Sequence, residues 1–526
     1  MQKYYILILN NDTKYKNMLQ FYNLIVYKDI SMGTMIGRKD ELKILQEACD
    51  SPESNLIAIY GRRRIGKTYL VNHMFEQHKD SCIFFRFTGA YNQDNDIQLG
   101  NFINAVKEWF GIEPEKEIKK WAHAFDYLKV AIQLKQAPGQ KTVVFLDEVP
   151  WVDPTDSYGF LGALGYFWNE FAENNKNIIC ILCASNSAWI KNKIFEDSIG
   201  PLFQRLNKKI PLKPFTLQET KEYLLSEKHF RIDDKTIVEF YMIFGGVAKY
   251  LSYLDPRQSV AQNVDTLIFD INGHLNKEYS DIFTSLFGAN AEYYTKIIDA
   301  LSKNQSGLIK AEILKELKET NNSKLIKALD VLMETGFVMS LSKFGSPKIN
   351  EKYFLCDPFI SFFNKWVKPL TKNEIMSLQK PYFNTIQSSQ QYAIMAGYAF
   401  EKVCLTNIEA YLCARSTKGL AKSYGYWAAK ASELEDTGAQ IDILVEYQND
   451  VYDIVECKFY NSEFEITKKY KEDVLNKIEQ FKKHISSTKK YDIKLVFLTS
   501  YGCKKNQHYN ALNISADLKI EDLFTT

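Results

Sequence analysis

Residues 61–68 read GRRRIGKT, the spacing G-x-x-x-x-G-K-[ST] whose backbone N–H groups wrap phosphate oxygens. That chemistry needs glycines so that the backbone can approach the anion, and a following helix whose positive end faces it. The phosphate-binding stretch runs through Gly61, Arg62, Arg63, Arg64, Ile65, Gly66, Lys67, Thr68 and Tyr69, with Lys67 set to neutralise the β and γ phosphates of ATP and Thr68 to offer a hydroxyl to Mg²⁺. The apolar run LIAIY precedes the motif and YLVNHMF follows it, so a strand-to-helix turn is expected there.

Further along, VVFLDE ends in Asp147 and Glu148, at the edge where a parallel sheet presents its ligands. Asp147 would hold Mg²⁺ through water and Glu148 would orient and deprotonate the attacking water, because phosphoryl transfer depends mainly on positioning and charge neutralisation. Adjacent carboxylates at a strand end can also be plain helix caps. After the apolar run IICILCA come Ser185 and Asn186, placed either to sense the γ phosphate or simply to close a polar loop. Arg205 directly precedes KKIPL, where an arginine finger into a neighbouring subunit is expected; a solvated arginine is the other reading.

A second constellation lies near the C-terminus. QIDILVEY and VYDIVECKFY flank the turn residues Gln448, Asn449 and Asp450, a hairpin signal. Symmetric pairing about Asn449 sets Asp442 opposite Glu456, and strand alternation puts Asp442, Glu456 and Lys458 on one face with Cys457 on the other. Two opposed carboxylates destabilise a sheet unless something compensates, and a divalent ion, Mg²⁺ or Mn²⁺, would do so. Lys458 would then support the attacking water or the charge developing on a phosphate. The competing reading is a solvated hairpin face, and a slip of one residue in register would rotate the set apart.

These groups need several domains to hold them, and 526 residues with 46% apolar and 25% charged side chains are enough for several packed cores. Apolar runs alternating with amphipathic helices from Met35 predict a parallel α/β sheet through residue 215, preceded by a leader over 1–34. A helical lid is expected over 216–290. Residues 291–356 offer three helix-sized patterns and two β-like pieces, the order of a winged helix, although a helical spacer with a hairpin has the same signature. A linker over 357–389 and a last α/β domain over 390–526 complete the organisation. No apolar run is long enough to span a bilayer and no cleavable signal is evident, which makes the cytoplasm the expected location and excludes a membrane partner. The nine cysteines are scattered, Cys180 and Cys183 inside an apolar strand, as reduced core thiols would be. A net charge of +2 gives no global case for nucleic acid, so a DNA partner must be argued from sites.

In order, IGRKDEL, GRRRIGKT, FLDEV, the small polar loop after the fourth strand, PLFQRL with LKPF, and FGGVAKYL resemble the archaeal-type ATPase family within the AAA-like P-loop proteins, over about Met35 to Asp255. The resemblance implies an ATP-binding α/β core with a helical lid, and Arg38 near the adenine or the phosphates. Ala248 stands where that family often has proline, and Lys249 where related ATPases carry a sensor arginine. Asp442 and Glu456-Cys457-Lys458, preceded by a helix carrying Glu401 in GYAFEK, resemble the PD-(D/E)XK nuclease superfamily, in particular the nuclease-like domain that closes many archaeal-type ATPases. YFLCDPFISFFNKWV resembles their shared linker, and Ile441 replaces the pattern's proline. The implied catalytic set is Glu401, Asp442, Glu456 and Lys458. The expected function is an ATPase, homo-oligomeric if Arg205 acts in trans, that couples its nucleotide cycle to a metal-dependent nuclease-like domain on DNA. The alternative is an ATP-driven regulatory switch whose winged helix binds DNA or protein and whose nuclease fold is inactive.

Overall fold

The computed structural model describes residues 35–76, 81–342, 344, 351–429, 438–485 and 490–524, so the expected leader over 1–34 lies outside the described residues. Five strands, β1 (Asn55–Tyr60), β2 (Cys82–Thr88), β3 (Lys141–Asp147), β4 (Ile178–Ala184) and β5 (Lys208–Pro211), form one sheet in the order β2-β3-β4-β1-β5. Every pairing is parallel. Alternate residues feed two cores: Ile57, Ile59, Val143 and Phe145 on one face, Leu56, Ala58, Val144 and Leu146 on the other. Burial on both faces is why these runs are continuously apolar. The order brings the carboxyl ends of β1, β3 and β4 side by side, where the P-loop, Asp147-Glu148 and Ser185 emerge.

The lid begins with a helix at Leu217–Glu222, started by a capping box between Thr216 and Glu219. The lid helix Asp234–Phe244 ends at Gly245, whose φ of 63° suits glycine. Gly246 comes so close to the chain that a Cβ would lie 1.9 Å from the Phe215 carbonyl. The backbone bond from Phe215 N to Gly246 O, 2.7 Å, fixes the start of the lid to its middle. A short helix, Ala248–Ser252, then returns to the P-loop, with Lys249 N donating to Arg64 O at 3.2 Å.

Residues 291–356 contain helices at Ala291–Lys303, Lys310–Leu317 and Asn322–Glu334, together with β6 (Leu308–Ile309), β7 (Val338–Leu341) and β8 (Lys352–Leu355). These strands pair antiparallel in the order β6-β8-β7. Asp357 caps the next helix, Pro358–Trp366. The C-terminal sheet runs β13-β12-β11-β10-β9, from β9 (Ala421–Ala429), β10 (Ala439–Tyr447), β11 (Val451–Lys458), β12 (Asp492–Thr499) and β13 (Ile514–Lys519). β9, β10 and β11 pair antiparallel, and β11, β12 and β13 parallel. One face packs on the helix Gln390–Thr406, while Val474 and Phe481 of the helix Lys468–His484 join a separate core on the other.

Although the sequence divides into segments, one apolar core continues from a face of the parallel sheet through residues 216–356 to the near face of the C-terminal sheet. The nine cysteines are free thiols. Among the described residues no helix is long and apolar enough to cross a membrane.

Candidate functional site

At Gly61, φ is 145° and a Cβ would lie 2.1 Å from the Leu212 carbonyl, so the turn out of β1 closes only around glycine. Lys67, 5% exposed, donates to the Gly61 and Arg62 carbonyls at 2.9 and 2.8 Å and to Ser185 Oγ at 3.0 Å. Thr68 Oγ1 donates to Asp147 Oδ2 at 2.8 Å, bringing a hydroxyl and a carboxylate together as hard-oxygen ligands that fit Mg²⁺. Glu148, in the left-handed region at φ 49°, accepts from Ser185 N at 3.2 Å and from Ser185 Oγ. Lys67, Ser185 and Glu148 thus form one chain of hydrogen bonds beside a cavity of about 710 Å³. Arg63, Arg64, Ile65, Gly66 and Tyr69 also border this cavity.

Arg38 lines the cavity too, its guanidinium 4.9 Å above the Phe215 ring and donating to Ile65 O at 3.3 Å. Burial lowers its pKa, opposed by Glu219 and Glu41. Tyr223 and Tyr253 complete an aromatic wall that no motif announced, and Lys249 borders the same space.

Two expectations change in the fold. Arg62 does not face the cavity: it is 4% exposed, ion-paired with Asp357, and stacked 5.1 Å over Phe337. Its carbonyl serves Lys67 while its side chain locks the P-loop to the residues that follow β7 and β8, because a guanidinium in a dry interior needs a carboxylate. Asn186 is a helix cap, accepting from Trp189 N at 3.0 Å and donating to Leu286 O at 3.2 Å, and it is not among the residues that border this cavity. Arg205 is 46% exposed and 3.7 Å from Glu173, at the surface and apart from this chain's own cavity. The remaining P-loop arginines diverge: Arg64 pairs with Glu278 at 2.6 Å, and Arg63 lies 5.8 Å over Trp151. Arg86, on β2, is a charge inside the apolar run CIFFRFT and reaches Asp147 Oδ2 at 3.3 Å.

In the C-terminal hairpin the pairs Glu446↔Tyr452 and Ile443↔Val455 are symmetric about Asn449, and one further step in that register sets Asp442 against Glu456. Lys458 Nζ lies between them, 3.1 Å from Asp442 Oδ2 and 3.3 Å from Glu456 Oε2, with Cys457 O at 3.1 Å. Burial works against its charged form, but Asp442 and then Glu456 outweigh burial and raise its pKa well above the ordinary lysine range. Glu456 is fully buried, with Lys477 Nζ 2.6 Å from Oε1 and the Tyr470 hydroxyl donating to Oε2 at 2.5 Å. Glu401 borders the same cavity as Asp442; burial first, and Asp442 second, push its carboxyl up to about 8. Tyr470 and Lys477 are seven residues apart on one helix, a spacing that places both on one face, although nothing in the sequence directs that face to Glu456.

The expected pair of open carboxylates is therefore not what the hairpin presents. Two ammonium groups stand where a divalent ion was expected, and among the described residues no group of three or more His, Cys, Asp or Glu side chains could hold a metal ion. In this arrangement Asp442 is held by Lys458, and Glu456 by Lys458, Lys477 and Tyr470.

Residues 35–254 match the family described as an ATPase domain predominantly from Archaea. An uncharacterized protein of Methanocaldococcus jannaschii is 24% identical over 378 residues, 70% of this chain and 76% of that protein. An uncharacterized ATP-binding protein of the same organism is 43% identical over 44 residues, 8% of this chain and 75% of its own. Among solved structures, a Walker-type ATPase of Pyrococcus abyssi aligns at a TM-score of 0.45 and 15% identity, covering 64% of this chain and 97% of that one.

Proposed function

We propose that residues 35–254, an ATPase domain of the archaeal type, bind and hydrolyse ATP and that the cycle positions a C-terminal nuclease-like domain, residues 390–526, on DNA. The observation that carries the ATP half is the convergence of Lys67, Thr68, Asp147, Glu148 and Ser185 at three adjacent strand ends. Lys67 exchanges two carbonyls for phosphate oxygens. Thr68 and Asp147 would hold Mg²⁺, which when bound neutralises charge on the phosphates. Glu148 accepts the proton of the attacking water, and Ser185 holds its carboxylate in place until then. Arg38, Phe215, Tyr223 and Tyr253 offer cationic and aromatic surface to the base.

We read residues 291–356 as a winged helix. Its third helix offers two cations, Lys324, which lies 3.6 Å over the Tyr293 ring, and Lys327, which is exposed, while Phe337 receives Arg62; the Arg62 contact supports a docking role inside the molecule. The C-terminal half of the proposal is supported by the Asp442, Glu456 and Lys458 cluster with Glu401 alongside. One observation favours a second reading, a regulatory switch with an inactive nuclease fold: every oxygen of Glu456 is already engaged. The test is ATP turnover alongside plasmid and oligonucleotide cleavage, with and without ATP and with Mg²⁺ or Mn²⁺. Metal-dependent cleavage lost in Glu456→Ala refutes the switch; ATP turnover with no cleavage under any condition refutes the nuclease.

A further inference from the structure

Beside the C-terminal hairpin is a second cavity, of about 600 Å³, and one of its walls belongs to the ATPase. Lys235 and Glu239 of the lid helix face it, opposite Asp442, Lys458 and Lys477. The three lysines differ in what they have left to give. An ammonium has three donors, and Lys458 spends its own on Asp442, Glu456 and Cys457 O. Lys477 spends one, on Glu456. Lys235 Nζ is 3.8 Å from Glu239, outside hydrogen-bond distance, and 5.0 Å above the Phe459 ring. Glu239 in turn accepts from Gln387 and, at 3.3 Å, from the Tyr392 hydroxyl, so its charge is partly satisfied without Lys235. Two ammonium groups with unspent donors therefore face one cavity from two different domains, an arrangement suited to the oxygens of a phosphodiester. The volume suits a ligand of one or two nucleotides, not a duplex.

The lid reaches both cavities. Tyr223, Lys249 and Tyr253 border the nucleotide, and Lys235 and Glu239 border this one. Lys221 pairs with Asp234 at 2.7 Å, tying the first lid helix to the second. Leu217 N donates to Asn407 at 3.0 Å, and Lys221 lies 4.4 Å over Phe524, so the lid is seated on the C-terminal domain.

We propose that this cavity is a composite site for the phosphate-bearing end of a single nucleic-acid strand, contacted by Lys235 of the ATPase lid and Lys477 of the C-terminal domain, so that the nucleotide bound at Lys67 sets its affinity. The proposal rests on the nucleic-acid reading of the C-terminal domain given above. The experiment measures fluorescence anisotropy of a labelled single-stranded oligothymidylate, and of a duplex of equal length, with the full chain bound to no nucleotide, to ADP or to a non-hydrolysable ATP analogue. The single strand binds more tightly, and its affinity differs about fivefold or more between ADP and the analogue. Lys235→Gln weakens strand binding about tenfold and erases the nucleotide dependence, and Lys235→Arg restores both. Equal binding by wild type and Lys235→Gln, or affinity indifferent to nucleotide, overturns the composite site while leaving the nucleic-acid reading intact. A duplex bound as tightly as the strand overturns the ligand assigned. No strand binding by wild type in any nucleotide state overturns the composite site and the nucleic-acid reading together.

Discussion

Lys67, which is buried, and Lys458, which is 18% exposed, both carry ammonium groups near the carboxyl end of a strand, and they are held by opposite kinds of partner. Lys67 rests on two carbonyls and a hydroxyl, neutral dipoles that cede it to a phosphate at little cost. Lys458 is clamped by two carboxylates where little water remains to screen them, and a charged ligand must compete with full charges for it. The first arrangement is ready for an anion. The second is internally neutralised, which gives Lys458 a structural duty that the motif alone does not reveal.

Replacing the two lysines should separate those duties. Lys458→Ala leaves Asp442 without its counter-charge while Glu456 keeps Lys477, and denaturant unfolding is expected to show a loss of about 3 kcal/mol. Lys67→Ala should unfold within about 1 kcal/mol of wild type, because neutral partners lose little, while phosphate release falls by about 100-fold or more. Similar unfolding curves for the two variants would break the comparison.

The P-loop arginines extend it. Arg62 is paired with Asp357 in the interior, so Arg62→Ala is expected to cost about 3 kcal/mol by the same denaturant assay. Arg63 borders the nucleotide cavity, and Arg63→Ala should instead weaken nucleotide binding in calorimetry with little change in unfolding. Glu148→Gln should retain nucleotide binding and slow hydrolysis by about 100-fold, the usual range for losing a positioned base; equal loss of both would remove Glu148 from that role.

A pH series probes the C-terminal cavity. Glu401 is raised from 4.5 to about 8 in the fold, so the stability its neutral form contributes is fully present below the unfolded value and is lost as pH rises through the folded one. The thermal midpoint of wild type should therefore fall more than that of Glu401→Gln between about pH 5 and about pH 9. Lys402, lowered to about 8 by burial, acts in the opposite direction, and because Glu401 raises it, Glu401→Gln moves Lys402 further down as well. The smallest expected signal is complementation: mixing Arg205→Ala with Lys67→Ala chains restores partial turnover if Arg205 serves a neighbour's nucleotide. Mixed assemblies without turnover would leave Arg205 as a surface residue.

Much of this molecule was legible because it is local. A strand, a glycine turn and a helix place the P-loop residues by backbone geometry alone, and the turn about Asn449 sets the hairpin register out to Ile443↔Val455, next to Asp442 and Glu456. Continuous apolar runs set between amphipathic helices marked the strands of the parallel sheet before any contact was known. What local pattern could not decide is which of three consecutive arginines turns inward. Arg62 does so because Asp357, 295 residues away, meets it in the packed interior. Likewise Glu456 is closed by Lys477 and Tyr470, which only the packing of a helix on the hairpin brings within reach. Periodicity determines which face a side chain takes; whether that face meets solvent, a counter-charge or another domain is decided when the chain packs, because burial makes each charge take the partner the tertiary fold supplies.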